Sequence, residues 1–278
     1  MVPYASAASS PNAEDRRGWV RTFLRVGGFD WFDLGGRVAV VTGARRGIGR
    51  GLALGLARAG ADVALVSRTA AGEVAGEIER LGRRCVPITA DLAYPAQVDR
   101  VIPDAVRALG RVDILVNNAG VTMRGPALEV TPHDWHRVLQ VNLHAVFTLC
   151  QQAARDMLPR GHGKIINIAS MMSFQGGILI AAYTASKGAV AQLTKLLANE
   201  WGAQGINVNA IAPGYIETDL TRPLKEDPTR NPEILARIPA GRWGRPDDVA
   251  GAAVFLASRA SDYVHGHVLA VDGGWLAR

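Results

Sequence analysis

The sequence predicts one α/β domain built on a doubly wound, seven-stranded parallel sheet. From residue 37 onward, short runs rich in valine and isoleucine alternate with longer helix-like segments. Each run is apolar along nearly its whole length, which is typical of strands that helices cover on both faces. Seven strands and six crossing segments leave no room for a second domain in 278 residues, and the crossovers are expected to be right-handed.

The strands are expected near residues 38–41, 63–67, 85–89, 114–117, 164–169, 207–210 and 267–271. Helices are expected between them, near residues 47–59, 71–81, 95–108, 131–158, 183–202 and 246–257. The stretch 214–245 breaks this alternation, because it is rich in proline and shows no clean period. Since it is too long for a simple connection, we expect residues of about 214–245 to form a functional lid on a domain of residues 33–278.

Residues 1–32 differ in composition from the rest and predict an N-terminal extension that is partly disordered. An alternative is that its aromatic side chains pack on a neighbouring subunit; these are Trp19, Phe23, Phe29, Trp31 and Phe32. The segment lacks the apolar core of a signal peptide and carries acids that transit peptides avoid, so we expect a cytoplasmic protein.

Composition argues against several classes of partner. The chain is 48% hydrophobic and 20% charged, and no run approaches the ~20 apolar residues of a membrane span, so no membrane partner is expected. The formal net charge is +6, but the basic residues are scattered and only four of the 31 are lysines. We therefore expect no nucleic-acid partner and some attraction for small anions.

Two cysteines, Cys85 and Cys150, exclude a disulfide framework and a thiolate zinc site. The six histidines show no ligand spacing with acids or cysteine. No metal is therefore expected.

A glycine-rich segment follows the first strand directly and opens the first helix. It reads Gly43-Ala-Arg45-Arg46-Gly47-Ile48-Gly49. Glycines in such a turn let the backbone lie against a pyrophosphate, and the positive end of the helix dipole favours the anion. The spacing is Gly-x3-Gly-x-Gly, and its position predicts a dinucleotide site.

The second strand bears on which dinucleotide binds. An NAD site usually has an acid about 20 residues beyond the glycines to hold the ribose 2′-hydroxyl, but this strand ends in Ser67-Arg68. Arg68, with Arg45 and Arg46, is suited to hold a 2′-phosphate. We expect NADP(H) as cofactor, with NAD(H) as the alternative.

Tyr183 and Lys187 lie four residues apart at the start of a helix, so that phenol and ammonium share one face. Lowering a tyrosine pKa from ~10 to ~7 requires about 4 kcal/mol, and a nearby ammonium, reinforced by a positive nicotinamide ring, can favour the phenolate to this extent. Ser170 stands at the end of the fifth strand and would donate a hydrogen bond to a substrate oxygen. Together these three residues predict proton transfer at a substrate oxygen.

With these motifs, residues 33–278 resemble the short-chain dehydrogenase/reductase family. The resemblance implies a Rossmann-like fold, a homotetramer, Tyr183 as general acid/base, Ser170 as its partner at the carbonyl and Lys187 as a ligand of the nicotinamide ribose. It also implies that Asn142 holds a water of a proton relay. The further cofactor contacts implied by the resemblance are Asp91, Leu92, Asn118, Ala119, Gly120, Pro213, Gly214, Ile216 and Thr218.

A narrower resemblance concerns the second half of the chain. The runs KIINIASMMSFQGG (164–177), LANEW (197–201), AIAPGY (210–215), IPAGRWG (238–244) and VDGGWLAR (271–278) are similar to a branch of sugar-acid dehydrogenases. That branch acts on gluconate, 2-deoxygluconate or 2-dehydro-3-deoxygluconate, and its members often prefer NAD. The Ser67-Arg68 pair and the N-terminal extension depart from its pattern.

A sugar acid needs a cation for its carboxylate and polar groups for its hydroxyls. The candidates are Arg124, Gln175, Tyr215, Arg222 and Arg242, of which we favour Arg124 and Gln175 because each follows a strand end closely. Two alternatives stay open: a 3-oxoacyl carrier-protein reductase, and a dinucleotide-binding regulator without turnover. Gly188, Ala189 and Ala191 would allow close helix packing between the subunits of a tetramer.

Overall fold

Seven parallel strands form one sheet in the order β3-β2-β1-β4-β5-β6-β7. The structure is a computed structural model, and it describes residues 30–278. The strands are β1 Val38–Thr42, β2 Asp62–Ser67, β3 Cys85–Thr89, β4 Ile114–Asn117, β5 Gly163–Ile168, β6 Ile206–Pro213 and β7 Val268–Val271. Strand order reverses between β1 and β4, where Val40 pairs with Ala64 on one side and Leu115 on the other. The predicted doubly wound sheet is confirmed, and the reversal marks where such a sheet binds ligands.

Helices cover both faces of the sheet. They are α1 Gly47–Arg58, α2 Gly72–Arg80, α3 Pro95–Leu109, α4 Pro132–Leu139, α5 Ala145–Met157, α6 Ala181–Trp201, α7 Arg222–Lys225, α8 Arg230–Arg237 and α9 Pro246–Ala257. Buried side chains of α3, α5 and α6 pack on one face, and those of α1, α2 and α9 pack on the other. Two apolar cores therefore hold the sheet between them, as its nearly continuous apolar strands predict.

The helix predicted over residues 131–158 is wrong in one respect. A π-helical segment, Gln140–His144, separates α4 from α5. A π turn inserts one extra residue into a helix and turns the following side chains. Asn142 lies in this segment and is fully buried.

Residues 214–245 contain the short helices α7 and α8 and close at their base. Gly244 donates its amide to the Tyr215 carbonyl at 2.9 Å, and Glu217 donates to the Gly244 carbonyl at 2.8 Å. The segment is therefore a loop whose two ends are joined by backbone hydrogen bonds. This loop is the predicted lid, residues 214–245, and a lid function for it stays a prediction.

The first described residues, Asp30–Phe32, form one 3-10 turn. The ring of Phe32 lies 6.4 Å from the ring of Phe255 on α9, so this turn packs on its own domain. Trp31 is exposed. Trp19, Phe23 and Phe29, with the predicted extension up to residue 29, lie outside the described residues.

Buried charge is unusual at three points. Asp113 is 2% exposed at the amino edge of the sheet, where it accepts the Val38 amide at 2.9 Å and Arg111 Nε at 2.8 Å. Lys164 and Lys187 are also buried, whereas Lys195 and Lys225 are exposed.

Among residues 30–278 the structure shows no helix that combines the length and apolarity needed to cross a bilayer.

Candidate active site

A cavity of about 620 Å³ opens at the carboxyl edge of the sheet. It brings together every predicted cofactor contact and three of the four predicted catalytic residues. They are Gly43, Arg45, Arg46, Gly47, Ile48, Gly49, Ser67, Arg68, Asp91, Leu92, Asn118, Ala119, Gly120, Ser170, Tyr183, Lys187, Pro213, Gly214, Ile216 and Thr218. Asn142, Arg124 and Gln175 do not line it.

The glycine-rich turn forms one end of this cavity. Gly43 and Gly47 have φ of +67° and +56°, in the left-handed region that favours glycine. A Cβ at position 49 would lie 2.2 Å from the Gly43 carbonyl oxygen, so no side chain fits there. The turn exposes the amino end of α1 to the cavity, and this tight cradle fits the pyrophosphate of a dinucleotide.

Thr42 and Asn118 hold this turn against β4. The Thr42 Oγ1 accepts the backbone amides of Asn118 and Ala119 at 3.0 and 2.9 Å, and Asn118 Nδ2 donates to the Thr42 carbonyl at 2.8 Å. Sequence reasoning gave Thr42 no role, although it directly precedes Gly43. Its hydroxyl fixes the distance between the glycine turn and residues 118–120.

Three arginines surround the outer corner of the cavity, where the second strand ends. Arg45 and Arg68 are exposed and form no ion pair within residues 30–278. Arg46 differs, because its Nη1 lies 2.8 Å from Oδ2 of Asp219 in the lid. Asp219 also lines the cavity, and no motif in the sequence pointed to it.

Tyr183 and Lys187 lie on the first turns of α6, on the face that meets the end of β5. Lys187 Nζ lies 5.7 Å from the centre of the Tyr183 ring and donates to the Ile168 carbonyl at 2.5 Å. Ser170 follows β5, and its Oγ accepts the Met172 amide at 3.2 Å. The predicted juxtaposition of phenol, amine and hydroxyl is present.

Burial shifts the pKa values of both Tyr183 and Lys187. It lowers the pKa of Lys187 from 10.5 to about 8, and it raises the pKa of Tyr183 above its ordinary value, while the neighbouring Ser170 hydroxyl lowers it in part. The Lys187 amine is directed to the Ile168 carbonyl. That this amine, together with the positive nicotinamide ring, lowers the tyrosine pKa stays a prediction.

Asn142 clamps the loop after β4. Its Oδ1 accepts the Val121 amide at 2.9 Å, and its Nδ2 donates to the Val121 carbonyl at 2.9 Å and to Ser186 Oγ at 3.1 Å. A Cβ at Gly120 would lie 3.5 Å from this Oδ1 and 3.9 Å from Lys187 Nζ. The amide of Asn142 and the amine of Lys187 thus converge behind Gly120.

The predicted substrate residues lie beside an aromatic cluster of the lid and the C-terminus. Gln175 Oε1 accepts Trp275 Nε1 at 3.3 Å and Arg237 Nη2 at 3.4 Å. Burial raises the pKa of Tyr215, and the nearby guanidinium of Arg124 is one of the charges that oppose this rise.

Two other candidates for the substrate carboxylate are engaged by acids. Arg222 pairs with Asp219, and Arg242 pairs with Asp248 at 2.7 Å. Among residues 30–278, no group of His, Cys, Asp and Glu side chains has the arrangement of a metal site. Burial raises the pKa of both cysteine thiols to about 12, so both are weak nucleophiles.

A family model described as enoyl-(acyl carrier protein) reductase matches residues 43–276. The chain is 56% identical over 253 residues to the 2-dehydro-3-deoxy-D-gluconate 5-dehydrogenase of Bacillus subtilis, with 90% of this chain and 98% of that protein covered. It is 45% identical to the gluconate 5-dehydrogenase of Gluconobacter oxydans, with 88% of this chain and 96% of that protein covered.

Among solved structures, a gluconate 5-dehydrogenase from Burkholderia cenocepacia in complex with NADP and tartrate is 46% identical to this chain. The TM-score is 0.86, and 90% of this chain and 98% of that one are covered.

Proposed function

The chain belongs to the short-chain dehydrogenase/reductase family, and we propose that it transfers hydride between a nicotinamide and a secondary alcohol or ketone of a sugar acid. The substrate would be of the gluconate or deoxygluconate type. The observation that carries the proposal is one cavity with the glycine turn at one end and Ser170, Tyr183 and Lys187 at the other. The relatives named for gluconates and deoxygluconates support the substrate class.

When bound, the nicotinamide supplies the hydride acceptor for alcohol oxidation or the hydride donor for ketone reduction. Tyr183 would move the proton, taking it from the substrate hydroxyl in oxidation and returning it to the carbonyl oxygen in reduction. The Ser170 hydroxyl would donate to the same substrate oxygen. Each residue would then act on an atom that gains or loses charge during the reaction.

Lys187 would hold the positive charge that favours the phenolate. Its pKa of about 8 leaves it mostly protonated at pH 7. The Asn142 oxygen accepts one backbone amide and keeps a second lone pair, which would hold the water of a proton relay behind Gly120.

We propose NADP(H) as the cofactor, with NAD(H) as the alternative. The exposed guanidinium of Arg68 and its neighbours at the second strand support a 2′-phosphate site, as does the NADP bound to the Burkholderia cenocepacia relative. Replacing Arg68 by Ala should raise the dissociation constant of NADPH by about tenfold or more and leave that of NADH unchanged. Arg80→Ala, an exposed arginine of α2, is the matched control. Equal affinities in Arg68→Ala and wild type would reject the 2′-phosphate site.

Arg124 and Gln175 are proposed to bind the substrate carboxylate and a hydroxyl, although neither lines the cavity. Arg124→Ala should raise the Michaelis constant for a sugar acid, and an unchanged constant would remove that role. Gln175→Ala should likewise raise this Michaelis constant, and an unchanged constant would remove its role. The Gln175 side-chain oxygen already accepts two hydrogen bonds, so its amide nitrogen would donate to the ligand.

The decisive assay compares gluconate, 2-deoxygluconate and 2-dehydro-3-deoxygluconate with a 3-oxoacyl thioester, each with both cofactors. Higher kcat/KM for a sugar acid supports the proposal, and higher kcat/KM for the thioester supports the alternative of a 3-oxoacyl carrier-protein reductase. No turnover of any substrate would favour the non-catalytic regulator.

We also propose a cytoplasmic homotetramer in which residues 33–278 form the catalytic domain. Gly188 on α6 faces open space, since nothing lies within 4 Å of a Cβ placed there. Leu196 on the same helix and Phe147 on α5 are 50% and 40% exposed, which suits contact between subunits. Light scattering should give about four times the chain mass of 29.6 kDa. The mass of a single chain would contradict the tetramer.

A further inference from the structure

The lid touches the glycine turn at two consecutive residues. Asp219 accepts Arg46 Nη1 at 2.8 Å, and the Thr218 methyl carbon lies 3.3 Å from where a Cβ of Gly47 would stand. Arg46 and Asp219, which form the ion pair, are 173 positions apart in the sequence. The Arg46–Asp219 pair is therefore a tether between the lid and the turn that would hold the cofactor phosphates.

The tether occupies one of three arginines at the corner proposed for the 2′-phosphate. Arg45, Arg46, Arg68 and Asp219 line the same cavity. Within residues 30–278, Arg46 is the one of these arginines that has a carboxylate partner. An anion entering this corner thus meets the guanidinium groups of Arg45 and Arg68, which have no acidic partner within residues 30–278. It also meets the Arg46–Asp219 ion pair.

We propose that Asp219 is a specificity-determining residue for the cofactor, because its carboxylate competes with a 2′-phosphate for Arg46. With NAD(H), which carries no 2′-phosphate, the tether stays and holds the lid on the glycine turn. With NADP(H), the 2′-phosphate takes Arg46, and Asp219 releases it. This inference rests on the proposed dinucleotide site and adds the residue that limits its preference for the phosphorylated cofactor.

The exposure of the pair makes the exchange feasible. The Arg46 and Asp219 side chains are 61% and 43% exposed. Water screens such a pair, so the tether is weak, whereas arginine binds phosphate through two parallel charge-assisted hydrogen bonds. The 2′-phosphate should therefore displace Asp219 from Arg46. Asp219 should still reduce the affinity for NADP(H), by the free energy of a typical exposed ion pair.

The test measures dissociation constants of NADPH and NADH by nicotinamide fluorescence, without turnover. Asp219→Asn keeps the shape of the side chain and removes its charge. The ratio of the NADH constant to the NADPH constant should rise about two- to fivefold, the range of exposed ion pairs. In an Arg46→Ala background the same substitution should leave this ratio unchanged, because the contested group is gone.

Two matched variants separate this effect from charge and from the other partner of Asp219. Glu226→Gln removes an exposed lid carboxylate that forms no ion pair within the described part of the chain, and it should not change the ratio. Arg222→Gln removes the second arginine that pairs with Asp219, and it should lower the ratio or leave it unchanged. A rise for Glu226→Gln equal to that of Asp219→Asn would overturn the proposal, since a general charge effect would then suffice. A rise for Arg222→Gln would overturn it as well, because releasing Asp219 from Arg222 should strengthen its competition for Arg46.

Proteolysis reports the tether itself, because the lid carries Lys225, Arg230 and Arg237 as tryptic sites. Saturating NADH should slow lid cleavage more in wild type than in Asp219→Asn. Saturating NADPH should protect wild type and Asp219→Asn to the same extent.

If Asp219→Asn changes the NADPH and NADH dissociation constants by the same factor, Asp219 does not set the cofactor preference. If neither dinucleotide binds wild type, the proposed function itself fails.

Discussion

Burial acts in opposite directions on the pKa values of Tyr183 and Lys187, yet it favours the neutral form of both. A buried phenolate and a buried ammonium each lose hydration, so the tyrosine pKa rises and the lysine pKa falls to about 8. Without a bound dinucleotide, burial therefore disfavours both the phenolate form of Tyr183 and the ammonium form of Lys187. A group that brings positive charge to the cavity would move the tyrosine pKa back toward neutrality.

Removing the Tyr183 hydroxyl tests the proton transfer. Tyr183→Phe should lower kcat by about 10²- to 10⁴-fold, the usual contribution of a general acid/base. The dissociation constant of the dinucleotide should change little. The control is Tyr263→Phe at a fully exposed tyrosine. Retained turnover in Tyr183→Phe would exclude this hydroxyl as the proton carrier.

The pH dependence of stability tests the buried amine. The unfolded chain keeps Lys187 protonated up to its ordinary pKa of 10.5, whereas the folded chain releases that proton near pH 8. Below pH 8 both states bind the proton, and the fold bears the full burial cost of about 3 kcal/mol, at about 1.36 kcal/mol per pKa unit. Between pH 8 and 10.5 the unfolded state binds more protons, so stability rises with pH.

Lys187→Met should remove this pH dependence. The variant also loses the hydrogen bond to the Ile168 carbonyl, but that loss is independent of pH. The free energy of unfolding of the variant minus that of wild type, measured by denaturant without dinucleotide, should fall by about 3 kcal/mol from pH 7 to pH 10.5. A difference that stays constant over this range would show that the buried amine titrates normally.

At the residue scale, spacing predicts contacts within one helix and fails for contacts across the chain. The four-residue interval fixes Tyr183 and Lys187 on one face of α6. Asp219, the partner of Arg46, is 173 positions away in the sequence, and Asn142 forms two hydrogen bonds to Val121 from within the π-helical segment. No local pattern encodes either contact, because each depends on how separate elements pack.

At the element scale, the turn from β1 to α1 tolerates the least change. Gly49→Ala would place a methyl group 2.5 Å from Asn118 Nδ2 as well as against the Gly43 carbonyl, so the turn must shift. Dinucleotide binding should be lost or weakened by at least about tenfold, as measured by fluorescence titration.

Gly76→Ala in the middle of α2 is the matched control, since nothing lies within 4 Å of its Cβ. It should leave binding unchanged and stabilise the helix by up to about 1 kcal/mol. Normal binding by Gly49→Ala would show that the turn does not approach the dinucleotide.

Elements with a strong apolar pattern were predictable, and those set by packing were not. All seven strands lie where the valine and isoleucine runs place them, with ends that differ by up to three residues. The break between α4 and α5 has no Gly or Pro to signal it, and α7 and α8 are too short for a periodic pattern. A helix period needs about three turns to become visible, which segments of four and eight residues cannot provide.

At the scale of the whole molecule, the two edges of the sheet have separate tasks. The carboxyl edge holds the cavity, and the amino edge holds Asp113, whose carboxylate joins the starts of β1 and β4. Asp113→Ala would leave the buried Val38 amide without its acceptor, a loss of about 1–3 kcal/mol. The melting temperature should fall by several degrees, with kcat at 25 °C unchanged.

Asp104→Ala is the control for this stability effect, because it removes a carboxylate that pairs with the exposed Arg107 on α3. Its melting temperature should stay within about one degree of wild type, as surface pairs contribute little. Equal melting temperatures for both variants would show that the Asp113 contacts are not important for stability.

The division of the four lysines between interior and surface has a practical consequence for labelling. Amine-reactive dyes and activated resins can reach Lys195 on α6 and Lys225 on α7, while Lys164 and Lys187 are shielded by the fold. Lys225 lies in the lid, where its amine pairs with Glu217 at 2.7 Å. A fluorophore placed there would report on the surroundings of residues 214–245, and covalent immobilisation through the same amine would attach the protein to its support at this loop.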